Sequence, residues 1–433
     1  MADSTEDTHS MHSLLRRLFP ICRSITGEGV RETLRILRGH MPGLRIHEVP
    51  TGTPCFDWEV PPEWNITAAT LTGPDGQTLA DFKDHNLHVV SYSEPVDLEL
   101  SLDELQPHLH SLPAQPDAIP YVTSYYRRDW GFCLADRVRR SLQPGRYRAI
   151  IRSTLENGSL TYGELVLPGE TTDEILVSTY ICHPSMANNE LSGPVVATWL
   201  AKHLAARPRR HTLRFIFIPE TIGSLVYLSR HLDHLKKHVK AGLVLSCVGD
   251  ERAWSWLSSR LGGTLADKAA AHVMRHLHPE HHAYSWLHRG SDERQFCWPG
   301  VDLPVCSFMR SKYATYPEYH TSLDNPGLVT EAGLRGSFDT ARVFIECIER
   351  NQTYRATTLG EPRLGKRDLY PAASTIAPEA ARAVTSARTL VDILAYCDGA
   401  HDLLDVAERL GKPVWELFDG VQTLMDHHLL RPA

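Results

Sequence analysis

The sequence predicts an α/β protein with a mostly parallel sheet covered by helices, an inserted small β domain and a C-terminal winged-helix domain. Three observations support this prediction. After Arg146, near-continuous apolar segments alternate with amphipathic helical segments, which is typical of a parallel sheet covered on both faces. Residues 49–128 contain short β-like segments separated by turn signals such as GPDG. Three short helical patterns follow residue 353 and are typical of a helix-turn-helix unit.

The predicted elements group into three domains. Residues 1–48 and 129–352 form the α/β domain, whose first helical segments carry leucines at spacings of three and four residues. Residues 49–128 form the inserted β-rich domain, and residues 353–433 form the winged-helix-like domain. Four buried strands are expected in the α/β domain, in the segments EILVSTYIC, LRFIFIP, GLVLSCVG and LPVCSFM.

Composition narrows the class of protein. The chain has 433 residues and a formal net charge of -7, so it lacks the basic bias expected of a protein that binds nucleic acid or an anionic membrane. No apolar segment reaches the roughly 18 residues that a membrane span needs. The polar N-terminus lacks the features of a secretory signal, and the nine cysteines form no CxxC pair. We therefore expect a cytoplasmic protein.

Ligand-capable side chains follow successive predicted strands. They are His183, Asn189 and Glu190 after the first strand, Glu220 after the second, Asp250 after the third, and Asp292 and His320 in later segments. Because the carboxyl ends of parallel strands meet at one crevice, these side chains are expected to converge. A histidine and carboxylates at such a crevice predict a zinc site with an open coordination position. Glu220 would then act as the general base toward a water that the zinc activates.

Four ordered segments carry a resemblance to a known family. The segments CHPSMANNELSG, FIPETIGSLVYL, RGSDERQF and YPEYHTSLD resemble zinc-dependent aminopeptidases of the bacterial leucyl aminopeptidase type. The chain is more closely similar to aminopeptidase-like proteins that carry a β insertion with the pattern DWxVPxEW and a winged-helix tail. In this chain the pattern reads DWEVPPEW, from Asp57 to Trp64. Proteins of this kind are often associated with bacterial polysaccharide or natural-product gene clusters, which implies a biosynthetic trimming step.

The resemblance implies roles for individual residues. His183 and His320 match the first and last metal-binding histidines, Glu220 matches the general base, and Asp292 matches an aspartate near the site. Asn189 occupies the position of the aspartate that bridges two zinc ions, and a neutral amide is a poor bridging ligand.

Two further positions lack a carboxylate. Thr221 replaces the second glutamate of the Glu-Glu pair, and Ser246 replaces another aspartate ligand. Since two closely spaced cations need anionic ligands between them, we expect one Zn²⁺ rather than two. Glu190 is the candidate for the missing charge, which would give a ligand set of His183, Glu190 and His320.

Each carboxylate also has a structural alternative. Glu190 can favour the N-terminus of the following helix through the helix dipole, and Asn189 can form an N-cap or Asx-turn. Asp250 either lines the site or forms a solvated turn, and Asp292 either lies near the reaction or caps a helix. Cys182 is expected to be a packed thiol rather than a nucleophile.

The remaining expectations concern substrate and partners. Arg310, Lys312 and Tyr313 either bind a substrate carboxylate or form a charged loop. The tryptophans of DWEVPPEW are expected to pack the insertion, which would roof the crevice. The C-terminal domain is not basic, so we expect an interaction or homodimer role there rather than DNA binding.

The function expected from these patterns is hydrolysis of a peptide or a small amino-acid conjugate by a zinc metallopeptidase. A degenerate aminopeptidase fold that binds a ligand or a metal, and a winged-helix regulator, remain the alternatives.

Overall fold

The computed structural model describes residues 4–370 and 378–433, which divide into two compact units. Unit 1 comprises residues 4–267 and 281–341, and unit 2 comprises the described parts of 268–280 and 342–433. Residues 268–280 and 342–352 thus belong to unit 2, although the sequence patterns assigned them to the α/β domain. Among the described helices, none has the length and apolarity that crossing a membrane requires.

An eight-stranded, mostly parallel sheet forms the core of unit 1. Its strands are numbered in chain order, and from one edge of the sheet to the other they are β1 (Arg45–Pro50), β10 (Ser159–Leu167), β12 (Thr212–Ile218), β11 (Glu174–Tyr180), β13 (Val239–Leu245), β16 (Val305–Met309), β14 (Ser255–Leu257) and β15 (His282–Tyr284). The central strands β12, β11, β13 and β16 are parallel. Strand β10 is antiparallel to β1 and β12, and β14 is antiparallel to β16 but parallel to β15. Every residue of β11 is buried, as expected for an inner strand covered on both faces.

Helices α2 (Glu28–His40), α5 (Ser192–Ala205), α6 (Ile222–His238) and α8 (Glu293–Phe296) contact strands of this sheet. The other helices that precede the C-terminal domain are α1 (Ser4–Leu18), α3 (Leu102–Leu105), α4 (Asp136–Arg140), α7 (Leu265–Leu277) and α9 (Glu331–Glu349). In α2 the stripe Val30, Leu34 and Leu37 is buried at spacings of three and four residues. A π-helical turn, Ala187–Leu191, links β11 to α5 and is buried throughout. Such turns are frequent at functional sites.

The inserted β region contains a four-stranded antiparallel sheet and two short strand pairs. The sheet order is β5 (Thr78–Asp81), β4 (Glu63–Thr72), β9 (Arg146–Glu156), β6 (Val96–Ser101). The short pairs are β2 (Pro54–Cys55) with β3 (Trp58–Glu59), and β7 (Leu109–His110) with β8 (Phe132–Cys133). Strand β9 lies beyond the predicted range 49–128. It pairs with β4 and β6, whereas the following β10 pairs with β1 and β12, so these strands connect the two sheets.

Unit 2 has the winged-helix architecture that the sequence predicts. Its elements are the sheet β18 (Asp398–Asp402), β17 (Thr353–Ala356), β19 (Leu430–Pro432) and the helices α10 (Pro378–Tyr396), α11 (Leu403–Leu410) and α12 (Phe418–Asp426). Helix α11 begins at a capping box of Asp402 and Asp405 and ends at Gly411 in a left-handed conformation. Leu404, Leu424 and other apolar side chains of these helices are buried.

Candidate active site

A pocket of about 460 Å³ lies beyond the carboxyl ends of β11 and β12. This reaction pocket is lined by Ile25, Trp58, Tyr121, Thr123, Tyr125, Tyr126, Cys182, His183, Glu220, Thr221, Ile222, Arg294 and His320. Its position is the one expected for a ligand site in an α/β sheet. The structure therefore brings together His183, Glu220 and His320, which are far apart in the sequence.

His183 is held by a buried carboxylate on the side away from Glu220. Glu190 Oε2 lies 3.0 Å from His183 Nδ1 and accepts the backbone N–H groups of Cys182, at 2.7 Å, and of His183. Arg23 Nε donates to Glu190 Oε1 at 2.5 Å, and both side chains are fully buried. Burial disfavours a charged imidazole, but the hydrogen bond and charge of Glu190 outweigh it and raise the pKa of His183. With Nδ1 donating to Glu190, Nε2 carries the lone pair on the side of Glu220.

The hydrogen bonds of Glu190 bear on the ligand role that the sequence predicts for it. Its oxygens are engaged by Arg23, by two backbone N–H groups and by His183, and it is not among the described residues that line the pocket. A carboxylate that accepts the second ring N–H of a histidine is the usual outer partner of a metal-binding imidazole. The contacts of Glu190 are those of a group that orients His183, and its role as a metal ligand stays a prediction.

His320 enters the pocket from a loop, and one of its ring nitrogens has no partner in the part of the chain that the structure describes. Its backbone adopts a positive φ of 57°, its ring stacks on Tyr319 with centroids 3.9 Å apart, and its carbonyl accepts the N–H of Tyr121. The ring centroids of His320 and His183 are 5.2 Å apart. His320 Nε2 is buried and has no partner among the described residues. Burial, and then the nearby His183, lower the pKa of His320 to about 3, so the imidazole is neutral.

Glu220 faces His183 across the pocket. Its Oε2 lies 3.7 Å from His183 Nε2, while its Oε1 accepts the hydroxyl of Ser291 at 2.7 Å. The sequence places Glu220 directly after β12 and Pro219, and Thr221 continues the chain with a positive φ of 64°. Burial raises the pKa of Glu220 above its ordinary value.

Asp292 supports the loop that carries Glu220. Its Oδ1 accepts the N–H of Thr221 at 2.8 Å and the hydroxyl of Ser224 at 2.9 Å, and its Oδ2 is buried without a partner among the described residues. Burial and the charge of Glu220 raise the pKa of Asp292 to about 8, so the protonated form predominates at pH 7. The structure thus places Asp292 beside the general-base candidate but outside the pocket lining.

The residues fit a divalent cation at one position in this pocket. Neutral imidazole nitrogens are favoured zinc ligands, and the buried His320 Nε2 needs a partner that the described residues do not supply. Cys182, His183 and Glu190 also offer ligand atoms within 4.8 Å of one another. However, Glu190 is already engaged, and burial followed by the charge of Glu190 raises the pKa of the Cys182 thiol well above its usual value. That cluster anchors the histidine, and the pocket side of His183 remains the position for an ion.

Asn189 is bound away from the pocket. Its Nδ2 donates to the hydroxyl of Tyr180 at 3.0 Å, and its backbone N–H donates to Asp324 at 2.9 Å. Asp324 also accepts the N–H of Asn188 at 2.6 Å, and burial raises its pKa to about 6. Sequence reasoning missed Asp324, although it ends the segment HTSLD that contains His320.

The other predicted site residues lie in packed surroundings. Asp250 accepts hydrogen bonds from Nδ2 of Asn188 at 2.9 Å and from the hydroxyl of Ser311 at 2.8 Å. Arg310 lies 3.9 Å above the ring of Trp254 and donates to a backbone carbonyl.

Lys312 lies over the ring of Tyr313, whose hydroxyl donates to Glu293 at 2.8 Å. Arg310, Lys312, Tyr313 and Asp250 are absent from the described lining of the reaction pocket. Sequence reasoning also missed Tyr121 and Arg294, which line the pocket, and Arg23, which contacts Glu190.

The family comparison places most of the chain in one family. Residues 12–351 match a family described as "Domain of unknown function (DUF4910)", and residues 352–432 match a winged helix-turn-helix family. The chain belongs to the DUF4910 family. This DUF4910 chain is 44% identical over 410 residues to a Clostridium acetobutylicum protein named "Putative polysaccharide biosynthesis protein with aminopeptidase-like domain", with 94% and 93% of the two chains covered.

Solved structures show the same relationship. The crystal structure of a "putative peptidase" from Clostridium acetobutylicum matches the DUF4910 chain with a TM-score of 0.92 and 42% identity, covering 100% of this chain and 98% of the other. BSAP, a zinc aminopeptidase from Bacillus subtilis, matches with a TM-score of 0.56 and 12% identity, covering 79% and 94%. The predicted fold class and the predicted relation to aminopeptidase-like proteins are confirmed. At 12% identity the match to BSAP shows the fold alone.

Proposed function

We propose that the protein is a zinc-dependent hydrolase of the aminopeptidase type that cleaves a peptide or amino-acid amide bond. The observation that carries the proposal is the convergence of His183, His320 and Glu220 on one pocket, with His320 Nε2 buried and unpaired among the described residues. One zinc ion would be held by the two imidazoles, and the predicted ligand Glu190 becomes the residue that orients His183. The remaining coordination positions stay open to water and substrate.

The side chains around Glu220 support its role as the general base. A zinc ion bound here would lower the pKa of water to about 7 and polarise the substrate carbonyl. Ser291 holds Oε1 of Glu220, which leaves Oε2 on the side of His183 to accept a proton from the attacking water. Glu220 then delivers this proton to the leaving nitrogen. Because burial raises the pKa of Glu220, its proton affinity is closer to that required near neutral pH.

The Glu220→Gln variant tests this proposal. It keeps the shape of the side chain but removes the proton acceptor, so turnover of amide substrates should fall by about 10²- to 10⁴-fold while zinc content stays the same. The exposed Glu170 provides the matched control, and Glu170→Gln should keep full turnover. Unchanged turnover in Glu220→Gln, with zinc still bound, would refute the assignment of the base.

A catalytically degenerate binding module is the second candidate. It is favoured by the neutral side chains of Asn189 and Thr221, where zinc aminopeptidases of the resembled type carry carboxylates. Zinc analysis of the purified protein, together with a panel of amide substrates, separates the two candidates. Bound zinc with no hydrolysis of any amide would favour the binding module.

A regulatory role of the C-terminal domain receives less support. Residues 353–433 contain nine Lys and Arg against eleven Asp and Glu, which opposes binding to phosphates. The name of the 44% identical relative instead supports a place for the reaction in polysaccharide biosynthesis. Salt-dependent DNA binding by the full chain would count against this preference.

A further inference from the structure

A second cavity shares part of its wall with the reaction pocket. This apolar cavity has a volume of about 780 Å³, and its apolar lining includes Leu225, Leu228, Leu232, Leu287, Trp298 and Val301. Trp58 and Arg294 line both the apolar cavity and the reaction pocket. A ligand that passes these two side chains can therefore occupy both spaces.

The apolar cavity is bordered by exposed aromatic and aliphatic side chains. Trp58, Trp298 and Leu287 are 43%, 52% and 82% exposed, respectively, which is unusual for large apolar residues grouped at one cavity. Trp58 lies on the hairpin formed by β2 and β3, which packs against α6, whereas Trp64 of the same DWEVPPEW segment is buried. The expectation that both tryptophans pack the insertion thus fits Trp64, while Trp58 is available to a ligand.

Arg294 supplies a positive charge at the junction of the two spaces. One of its terminal nitrogens donates to the hydroxyl of Thr221, and its Nε is buried without a partner among the described residues. Thr221 is neutral, and Glu220 interacts with the guanidinium through its charge, without a hydrogen bond among the described residues. An arginine with a free N–H donor favours a carboxylate, because the guanidinium can bind a carboxylate through two parallel N–H donors.

We propose that the substrate is an N-acylated amino acid with a large apolar side chain, either free or at the carboxyl terminus of a peptide. The scissile acyl amide would lie in the reaction pocket, the α-carboxylate on Arg294 and the side chain in the apolar cavity. One amino acid suffices for this arrangement because its α-carbon carries the amide nitrogen, the carboxylate and the side chain. This inference rests on the proposed function and selects its substrate class.

The reaction balances as an ordinary hydrolysis. Water forms the new C–O bond at the acyl carbon, the C–N bond breaks, and the proton taken up by Glu220 goes to the leaving nitrogen. The products are a carboxylic acid and a free amino acid. Arg294 binds the carboxylate of both substrate and amino-acid product, so it sets substrate specificity and takes no part in proton transfer.

Three matched probes test the inference by calorimetric titration of metal-free protein: N-acetyl-L-phenylalanine, its neutral amide, and L-phenylalaninamide with a free amine. The acid should bind at least about tenfold more tightly than either amide, the size of effect expected for hydrogen bonds between two charged groups. Arg294→Gln should remove this preference, and Arg294→Lys should restore only part of it. The exposed Arg137, which pairs with Asp117 at the surface, gives the control Arg137→Gln, which should keep the preference.

The outcomes separate this inference from the proposed function. Equal binding of acid and amide by the wild-type protein, or a preference that survives in Arg294→Gln, would overturn the inference without any need for turnover. Hydrolysis of L-phenylalaninamide but not of N-acetyl-L-phenylalanine by the zinc-loaded protein would also overturn it and leave the proposed function intact. Tight, Arg294-dependent binding of the acid, with no hydrolysis of it or of any other amide by the zinc-loaded protein, would refute the proposed function and retain only the ligand class.

Discussion

Replacement of Glu190 by glutamine tests how the site is assembled. Glu190 accepts hydrogen bonds from Arg23 on one oxygen and from the backbone of Cys182 and His183 on the other. Glutamine has the same shape but only one accepting oxygen, so its amide group must face either the guanidinium of Arg23 or the two backbone N–H groups. In each orientation donors oppose donors, and Arg23 loses its counter-charge in a fully buried position.

The replacement should lower both the free energy of unfolding and the affinity for zinc. Removing one partner of a fully buried ion pair costs about 3–5 kcal/mol, so the free energy of unfolding should fall by this amount. The imidazole of His183 also loses its fixed orientation, and loss of such an outer partner lowers metal affinity by about 10- to 100-fold. A direct zinc ligand would give a much larger loss of affinity, together with a change in coordination.

Urea unfolding and zinc titration against a chromophoric chelator measure these effects. The buried pair of Arg214 and Glu174, with Nε and Oε2 2.7 Å apart, provides the matched control. Glu174→Gln should lower stability less, because Arg214 keeps its ion pair with Glu164, and should leave zinc affinity unchanged. Equal zinc affinity in Glu190→Gln and wild type would refute the orienting role, and complete loss of zinc binding would restore Glu190 as a ligand.

Two further predictions concern stability and the metal. The hydrogen bonds of Arg31, supported by those of Asn65 and Ser159, lower the pKa of Glu63 to about 2. The ionised Glu63 thus contributes to stability above its ordinary pKa of 4.5, and this contribution is lost as the pH falls toward 2. Urea midpoints of wild type and Glu63→Gln should therefore differ at pH 7 and converge near pH 2; a constant difference would contradict the assignment. His320→Ala should remove most zinc binding while retaining the fold, as measured by metal analysis and circular dichroism, and full zinc occupancy in this variant would contradict its role as a ligand.

The sequence predicted the fold well where one local pattern decides the outcome. The apolar continuity of EILVSTYIC and LRFIFIP identified buried parallel strands, and the helical spacing in the C-terminal region identified the winged helix. The segment from Arg146 to Leu167 shows the limit of this reasoning. Its two strands follow each other closely, as in a hairpin, but they pair with different sheets, and the partners of a strand are fixed by distant segments.

The residues of the candidate site also differ in how well the sequence predicts their positions. His183 and Glu220 follow buried strands, so their meeting at one crevice could be inferred from topology alone. The surroundings of Glu190 could not, because its partner Arg23 lies 167 residues earlier and no periodic pattern marks it. The position of Arg294 could not be predicted for a similar reason. Its neighbour Thr221 lies 73 residues away in the sequence, and the two residues meet only in the folded protein.

The most direct measurement is anomalous diffraction at the zinc edge from crystals of the protein grown with zinc. We predict one peak bonded to Nε2 of His183 and Nε2 of His320, with Glu220 facing it and Glu190 still bound to Arg23. A peak bonded to Glu190, two peaks about 3.5–4 Å apart, or no peak at the two histidines would contradict this prediction.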